Sequence, residues 1–261
     1  MPSGLYIAAS GMDATMTRQD VIANNLANVN TVGFKGNRSI DAAFPTYLIS
    51  RVEDQRVKTL DGTMEVRPNI GVMGGGVMPL ETPTDYSQGS RLQTQSPLDF
   101  SLTGPGFFTV MNPQGQILYT RDGSFTLNSD GKLVTKDGLP VLGHNGQIYI
   151  DGNKMVVDQE GNITVDNKPV DQLSIVQVSD ESQLVKVGHS LFSGPATLPV
   201  TKWPDNIQVQ QGFLEQSNVN SVEEMVHMID ATLSYEMNAR VVSTYDDILG
   251  QAASEIGTLR V

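Results

Sequence analysis

The side chains able to do chemistry are few and scattered. His144, His189 and His227 stand alone, with no ligand spacing around them. Each reads as a surface or structural histidine rather than a metal ligand or a general base. The chain has no cysteine. That excludes disulfides, thiolate zinc sites, iron–sulfur clusters and cysteine nucleophiles. Repeated Asp-Gly and Asn-Gly pairs could suggest calcium loops, but none sits in a D-x-[DN]-x-[DN]-G frame closed by a Glu. Hairpin turns account for them better. Gly71 to Gly76 is not a G-x-G-x-x-G fingerprint, and neither a G-x-S-x-G elbow nor a kinase motif occurs. The expectation is therefore no enzyme, no cofactor and no metal. Glycoside cleavage needs only two carboxylates at a set separation in space. A secreted β-rich carbohydrate-binding protein or glycan hydrolase accordingly stands as the alternative reading, although Asp122 and Asp130 sit where turns need acids.

Charge narrows the partners. The 261 residues hold 17 Lys+Arg against 29 Asp+Glu, a net charge of −12. No basic cluster is dense enough to neutralise a row of phosphates, and an acidic chain is repelled by anionic membrane surfaces. Nucleic acid is not an expected partner. No apolar window of 18 residues or more occurs, so direct membrane insertion is not expected. The N-terminus lacks a basic segment, a continuous apolar segment and a small-residue cleavage site, so no ordinary secretory signal is visible.

With so little chemistry to position, the periodicity of the chain carries more information. The first thirty residues read as a helix, with Leu5, Ala8, Met12, Ile22, Leu26 and Val29 on a 3/4-spaced track. Ser3 can cap its start, Asn28 or Asn30 can accept a left-handed end, and Gly33 breaks the pattern. The last forty residues predict a stronger helix. Ser221 followed by Glu224 reads as a capping box. Val222, Val226, Ile229, Leu233, Met237, Val241, Tyr245, Ile248, Ala252, Ile256 and Leu259 then form one stripe, ten steps with a mean of 3.7 residues. That period favours a straight or slightly right-handed bundle. Two amphipathic helices at opposite chain ends are most economically partnered by each other, leaving Met16, Val21, Asn24, Asn25, Met225, Met228 and Val242 for further copies. Methionine suits such adaptable contacts.

Between the ends the chain predicts antiparallel β structure. From about residue 98 to 200, short Val/Ile/Leu/Phe/Tyr runs alternate with turn pairs at Asp122-Gly123, Asp130-Gly131, Asp137-Gly138, Asn145-Gly146, Asp151-Gly152 and Glu160-Gly161. Strands fit at Phe107–Met111, Ile117–Thr120, Ser124–Leu127, Lys132–Thr135 and Leu173–Val178. No helical pattern intervenes, so a parallel βαβ sheet is not expected. Residues 36–95 are broken by Pro45, Pro68, Pro79, Pro83 and Gly74-Gly75-Gly76 and read as an extended arm. The expected fold is α+β: paired N- and C-terminal helices, coiled-coil-like, around an antiparallel β-rich middle. Residues 1–35 with 214–261 form the helical assembly domain, 36–95 the arm and 96–213 the β-rich domain.

The sharpest local signal is Asn24-Asn25-Leu26-Ala27-Asn28-Val29-Asn30-Thr31-Val32-Gly33-Phe34-Lys35. Asparagine is a poor helix-interior residue. Its repetition reads either as a frayed, capped end or as amide pairing across packed helices, which fixes register at some cost in stability.

These residues also carry a family resemblance. Ile22-Ala23-Asn24-Asn25-Leu26-Ala27-Asn28, with Thr31-x-Gly33-Phe34, resembles the N-terminal signature of the bacterial flagellar rod and hook proteins. Gly212-Phe213-Leu214-Glu215-Gln216-Ser217-Asn218-Val219-Asn220, with Glu223 to Ile229 and Tyr235-Glu236-Met237-Asn238, is similar to that family's C-terminal signature. Gly104-Pro105-Gly106-Phe107-Phe108 and Tyr119 to Phe125 resemble the start of its β domain. Within the family, Ser3-Gly4-Leu5-Tyr6 and Ser96-Pro97-Leu98-Asp99-Phe100 look more like proximal-rod than distal-rod members.

The resemblance implies a structural subunit of the flagellar basal-body rod, a drive shaft that spans the periplasm and transmits torque from motor to hook. It implies polymerisation with itself and with other rod proteins, hook-side axial proteins as neighbours, surrounding ring proteins as further partners, and passage through the flagellar type III export apparatus without a cleaved signal peptide. The residues expected to carry self-assembly are Leu5, Met12, Ile22, Asn24, Asn25, Leu26 and Asn28 on the first helix, and Val226, Ile229, Leu233, Met237 and Val241 on the second. In the paired-helix form of that expectation, Leu5, Met12, Ile22 and Leu26 face Val226, Ile229, Leu233 and Met237.

Overall fold

A computed structural model describes residues 3–50, 56–59, 62–65, 69–152, 154–188, 190–195, 197–202 and 207–258. The architecture is α+β: an N-terminal helix α1 (Ser3–Ala27), an antiparallel β-rich middle, and a C-terminal helix α2 (Ser221–Thr258). The chain divides into two compact units. One holds residues 1–23, 38–82 and 225–261; the other holds 24–37 and 83–224. Among the described residues no helix is long and apolar enough to cross a membrane. His189 and Leu259 lie outside the described residues.

The second unit is built on a six-stranded antiparallel sheet. Its strand order is Val185–Gly188, Leu191–Ser193, Ile117–Thr120, Phe107–Met111, Ile175–Val178 and Val200–Lys202. Strand alternation sends Phe108 and Ile175 to one face and Phe107 and Val176 to the other. Both faces are covered. Phe108, Val110 and Ile175 join Phe100, Leu133, Ile148, Ile163 and Leu173 in the larger core, while Phe107, Val176, Leu184 and Phe192 form a smaller one. Each fully buried side chain of this size contributes roughly 1.5–3 kcal/mol.

Most of the turn pairs do what their chemistry suggests. Gly131, Gly138, Gly146 and Gly161 all adopt positive φ. Asp122-Gly123 differs, because no hairpin forms there. Phe125–Leu127 pairs with Leu133–Thr135 rather than with the preceding strand. Gly123 is needed for room: a Cβ there would overlap the Phe100 carbonyl. A hairpin without a glycine joins Asn162–Val165 to Lys168–Gln172, where Asp166 and Asn167 both take positive φ, at 49° and 64°. That is the type I′ requirement met by the two residue types that, after glycine, tolerate it best.

The arm is a nested two-stranded ribbon. Ile40–Ala43 pairs with Val77–Glu81, Tyr47–Ser50 with Asn69–Met73, and Arg56–Thr59 with Gly62–Glu65. Glycine and proline suit it because a narrow ribbon needs bulges and edges rather than a regular interior. The register shifts between Ile40 and Asp41 and between Ile49 and Ser50.

Helix boundaries correct two expectations. α1 ends at Ala27, and the left-handed residue that follows is Gly33, at φ 65°; neither Asn28 nor Asn30 takes positive φ. The N-cap of α2 is Asn220, whose side-chain oxygen accepts from Val222 N at 3.1 Å. No capping box forms at Ser221, because the Glu224 carboxylate accepts from Asn25 instead.

Candidate functional site

The apolar stripe of α2 points outward. Val226, Ile229, Leu233 and Met237 are 52%, 59%, 52% and 61% exposed, and Val222, Val241 and Ile248 are exposed with them. The protected face carries different residues: Met228, Ala231, Tyr235, Asn238, Val242 and Tyr245, spaced 3 and 4 apart. Only Ala231 of these is fully buried. The covered face thus mixes small and polar residues with Met228 and Val242, while the exposed face carries a continuous apolar stripe, unlike a surface helix in a self-contained domain.

The protected face of α1 has matching character. Ala8, Ala14, Thr15 and Ile22 are buried, and Leu5 and Met12 are half-buried. Gly4 lies against the Tyr245 ring, where an added methyl would overlap the hydroxyl. A Cβ at Gly11 would come within 3.0 Å of the Asn238 amide nitrogen. These two glycines, seven residues apart, were not among the expected site residues. The Gly4-to-Gly11 spacing on one helix face was the signal that could have found them.

The asparagine run serves the second unit. Asn25 is 2% exposed, and its amide nitrogen donates to Glu224 Oε1 at 3.0 Å and to the Asn37 carbonyl at 2.8 Å. Its Oδ1 accepts from Asn37 N at 2.9 Å. Amide bridging between the end of α1 and the start of α2 therefore occurs at Asn25. Asn28 does the local job: its side chain donates to the Asn24 carbonyl at 2.9 Å, and Asn24 itself is exposed. Leu26 is half-buried. Asn218 extends the collar, accepting from Gly36 N at 2.8 Å and donating to the Asp85 carbonyl at 2.9 Å. Lys186 donates to the Lys35 carbonyl and to Asn37 Oδ1, with its ammonium over the Phe34 ring. Burial lowers the Lys186 pKa to about 8.

Beneath the collar lies a buried ionic centre. Glu215, 1% exposed, accepts from Lys35 Nζ at 2.6 Å and from Arg121 Nη1 at 3.2 Å. The Gly89 amide donates to Glu215 Oε1 at 3.1 Å. Lys35 also donates to the Ser87 carbonyl at 2.6 Å, and Arg121 to the Gly104 carbonyl at 2.7 Å. Burial holds the Lys35 pKa below the usual lysine range, with Glu215 opposing the shift. Gly33 makes the approach possible: its φ is 65°, its N–H donates to the Glu215 carbonyl at 2.8 Å, and a Cβ would overlap the Asp122 backbone. Glu215 and Arg121 sit in quoted signatures and Lys35 ends the asparagine run, yet nothing in the sequence pairs positions 94 and 180 residues apart.

This set of groups offers no reacting centre. Among the described residues no group of three or more His, Asp or Glu side chains is placed to hold a metal. Asp122, whose pKa burial raises, is occupied in accepting from the Ser124 hydroxyl and amide. What the geometry offers is an uncovered apolar helix face and a firmly bonded joint at the helix roots.

Comparison with known proteins places the chain in a family. The family model described as "Flagella basal body rod protein" matches residues 5–35. "Flagellar hook protein FlgE/F/G D1 domain" matches 101–190, and "Flagellar basal body rod FlgEFG protein C-terminal" matches 210–255. The chain is 36% identical to the flagellar basal-body rod protein FlgG of Buchnera aphidicola subsp. Baizongia pistaciae over 95% of its own length and 98% of that protein's. It is 35% identical to FlgG of Caulobacter vibrioides, over 97% and 98% of the two chains. To the flagellar basal-body rod protein FlgF of the same organism it is 33% identical, over 99% and 100%. The chain belongs to the flagellar basal-body rod protein family. It is a structural subunit of the basal-body rod rather than an enzyme, and it assembles with other rod and hook proteins. The D1 match covers residues 101–190, most of the β-rich region, so that region shares the family's architecture.

Proposed function

We propose that the chain polymerises helically through its terminal helices and carries torque along the rod towards the hook. The observation that carries this reading is the outward apolar stripe of α2, from Val222 through Val226, Ile229, Leu233, Met237 and Val241 to Ile248. A single chain has no use for such a face. Covering each half-exposed side chain with a neighbouring copy contributes roughly 1 kcal/mol, and the stripe repeats that gain over many turns. A contact between two different surfaces of the same chain, when its rotation does not close a ring, propagates as a helical filament.

In this reading α1 and α2 pair antiparallel as a short coiled-coil-like unit. Support comes from Gly4 against Tyr245 and Gly11 against Asn238, because seven residues forward on α1 match seven backward on α2. The outward residues Val226, Ile229, Leu233 and Met237 then serve neighbouring copies rather than α1. Residues 1–35 with 214–261 act as the assembly module, 36–95 as the arm and 96–213 as the outer β region. The arm offers a second self-contact through Leu48, Ile70 and Val72, all exposed on the ribbon. Ser3 to Tyr6 and Ser96 to Phe100 favour the proximal segment of the rod. Export through the flagellar type III apparatus without signal cleavage, and contact with the surrounding rings, belong to the same proposal.

The test is Leu233→Asp, which sets a charge in the middle of the stripe. Cells carrying it lose rod assembly and swimming while the purified chain keeps its β core. Normal assembly and swimming in that variant would overturn the reading.

A further inference from the structure

We infer that Glu215, with Lys35 and Arg121, is the positioning centre that fixes the roots of both terminal helices, and that the rod depends on this fixed geometry rather than on any stability the ions add. The second clause rests on the proposed rod function; the first does not.

The chain enters and leaves the second unit near residues 24, 37, 83 and 224. Glu215 reaches the segments behind these points through single bonds. Lys35 precedes the second point and Gly89 follows the third, and Lys35 in turn donates to the Ser87 carbonyl. Glu215 itself lies six residues before α2. Arg121 ties the same carboxylate to the end of the Ile117–Thr120 strand and to the Gly104 carbonyl. One buried acid therefore holds the return from α1, the return from the arm, the approach to α2 and the sheet.

An apolar plug could fill this space. Removing three ionisable groups from water is costly, and replacing a buried ion cluster by well-packed apolar residues is often neutral or stabilising. What apolar contacts lack is direction. Glu215 accepts from three donors on three segments, Lys35 at 2.6 Å, Gly89 at 3.1 Å and Arg121 at 3.2 Å, and each bond restricts angle as well as distance. The two cations face Glu215 directly, Glu181 acts on both through space and Asp85 acts on Lys35, so the cluster holds two cations near three acids. Arg121 Nε has no hydrogen-bond partner among the described residues, and the guanidinium stands 5.2 Å from the centre of the Phe107 ring. The centre is thus fixed on the sheet side by ring and carbonyl, and on the root side by Lys35 and the Glu215 backbone.

The experiment compares full-length wild type, Glu215→Gln, and the triple variant Lys35→Met, Arg121→Met, Glu215→Leu. Amide hydrogen exchange is read at Gly33, Asp85 and Gln216. Their N–H groups donate to the backbone carbonyls of Glu215, Gly36 and Ser90, bonds that the substitutions do not chemically remove. In Glu215→Gln, which leaves two buried cations without their carboxylate, these amides exchange on the order of a hundredfold faster. Amides of the Phe107–Met111 strand in the triple variant keep wild-type protection, while the root amides remain fast. Cells carrying the triple variant swim poorly or not at all.

Wild-type protection of Gly33, Asp85 and Gln216 in the triple variant would overturn the positioning role, because an apolar plug would then set the geometry equally well. Fast root amides with normal swimming would overturn the dependence of the rod on that geometry and leave the positioning role standing. Failure of the rod reading shows separately, as normal swimming in Leu233→Asp.

Discussion

The two compact units satisfy the same physical demand in opposite ways. The β-rich unit buries its large side chains within one chain: Phe100, Phe108, Leu133 and Ile175 are at most 1% exposed. The helical unit turns much of its apolar surface outward, with Ile229 59% and Met237 61% exposed. In the β-rich unit, hydrophobic patterning reports burial within the chain. In the helical unit, on the proposed function, it marks the face that neighbouring subunits would cover.

Five substitutions and one titration can break or sharpen this contrast. The largest effect is expected from Leu233→Asp, which abolishes assembly yet leaves the urea midpoint of the β-rich unit at the wild-type value; sedimentation over a concentration series and urea unfolding measure the two halves. Phe108→Ala is its mirror image. It opens a cavity beneath the six-stranded sheet and costs about 3–5 kcal/mol in urea unfolding. An equal loss from both variants in the isolated chain would erase the distinction between the units.

Gly33→Ala tests the joint. The position combines φ 65° with a close approach to Asp122, so an alanine there should cost about 1–3 kcal/mol and lower the thermal midpoint. Asn220→Ala removes the cap of α2 and should cost about 1 kcal/mol, visible as reduced helical ellipticity. Ser221→Ala should change little, because Ser221 is not the cap.

The smallest effect is a pH dependence. Lys186 has its folded pKa lowered to about 8, below the unfolded value of 10.5. Between those values the unfolded chain binds more protons, so stability rises with pH across that window. Lys35, also lowered, adds in the same direction. The raised pKa values of Tyr86 and Tyr119 oppose the rise once pH passes 10. Lys186 is partly exposed, and screening keeps its share below about 1 kcal/mol. The urea midpoint between pH 8 and 10 should climb in wild type and climb less in Lys186→Met.

Much of the architecture was legible in the residues. The 3/4 spacing at both ends marked the helices, and Asp-Gly pairs between Val/Ile/Phe runs marked the strands. Phe107–Met111 and Ile117–Thr120 fall where the pattern placed them. The direction in which α2 presents its stripe was not legible, because periodicity gives the width of an apolar face and not the molecule that covers it. The cap of α2 was ambiguous for a local reason: Asn220 and Ser221 are adjacent and both are good cap residues. The ionic centre was hidden by separation, since Lys35, Arg121 and Glu215 meet only once the sheet and both roots are in place. Asn25 was visible as an anomaly, an amide where a helix does not favour one, and that anomaly marked the joint.

The central claim is that the α2 stripe is open in the single chain and closed in the rod. The absence of cysteine allows a direct test, because Leu233→Cys carries a single thiol. The rate of its alkylation should be measured in the dissociated chain and again in assembled rods. A rate near that of a free peptide thiol in the chain, falling at least about a hundredfold on assembly, is the expected result. Equal rates in both states would contradict the account.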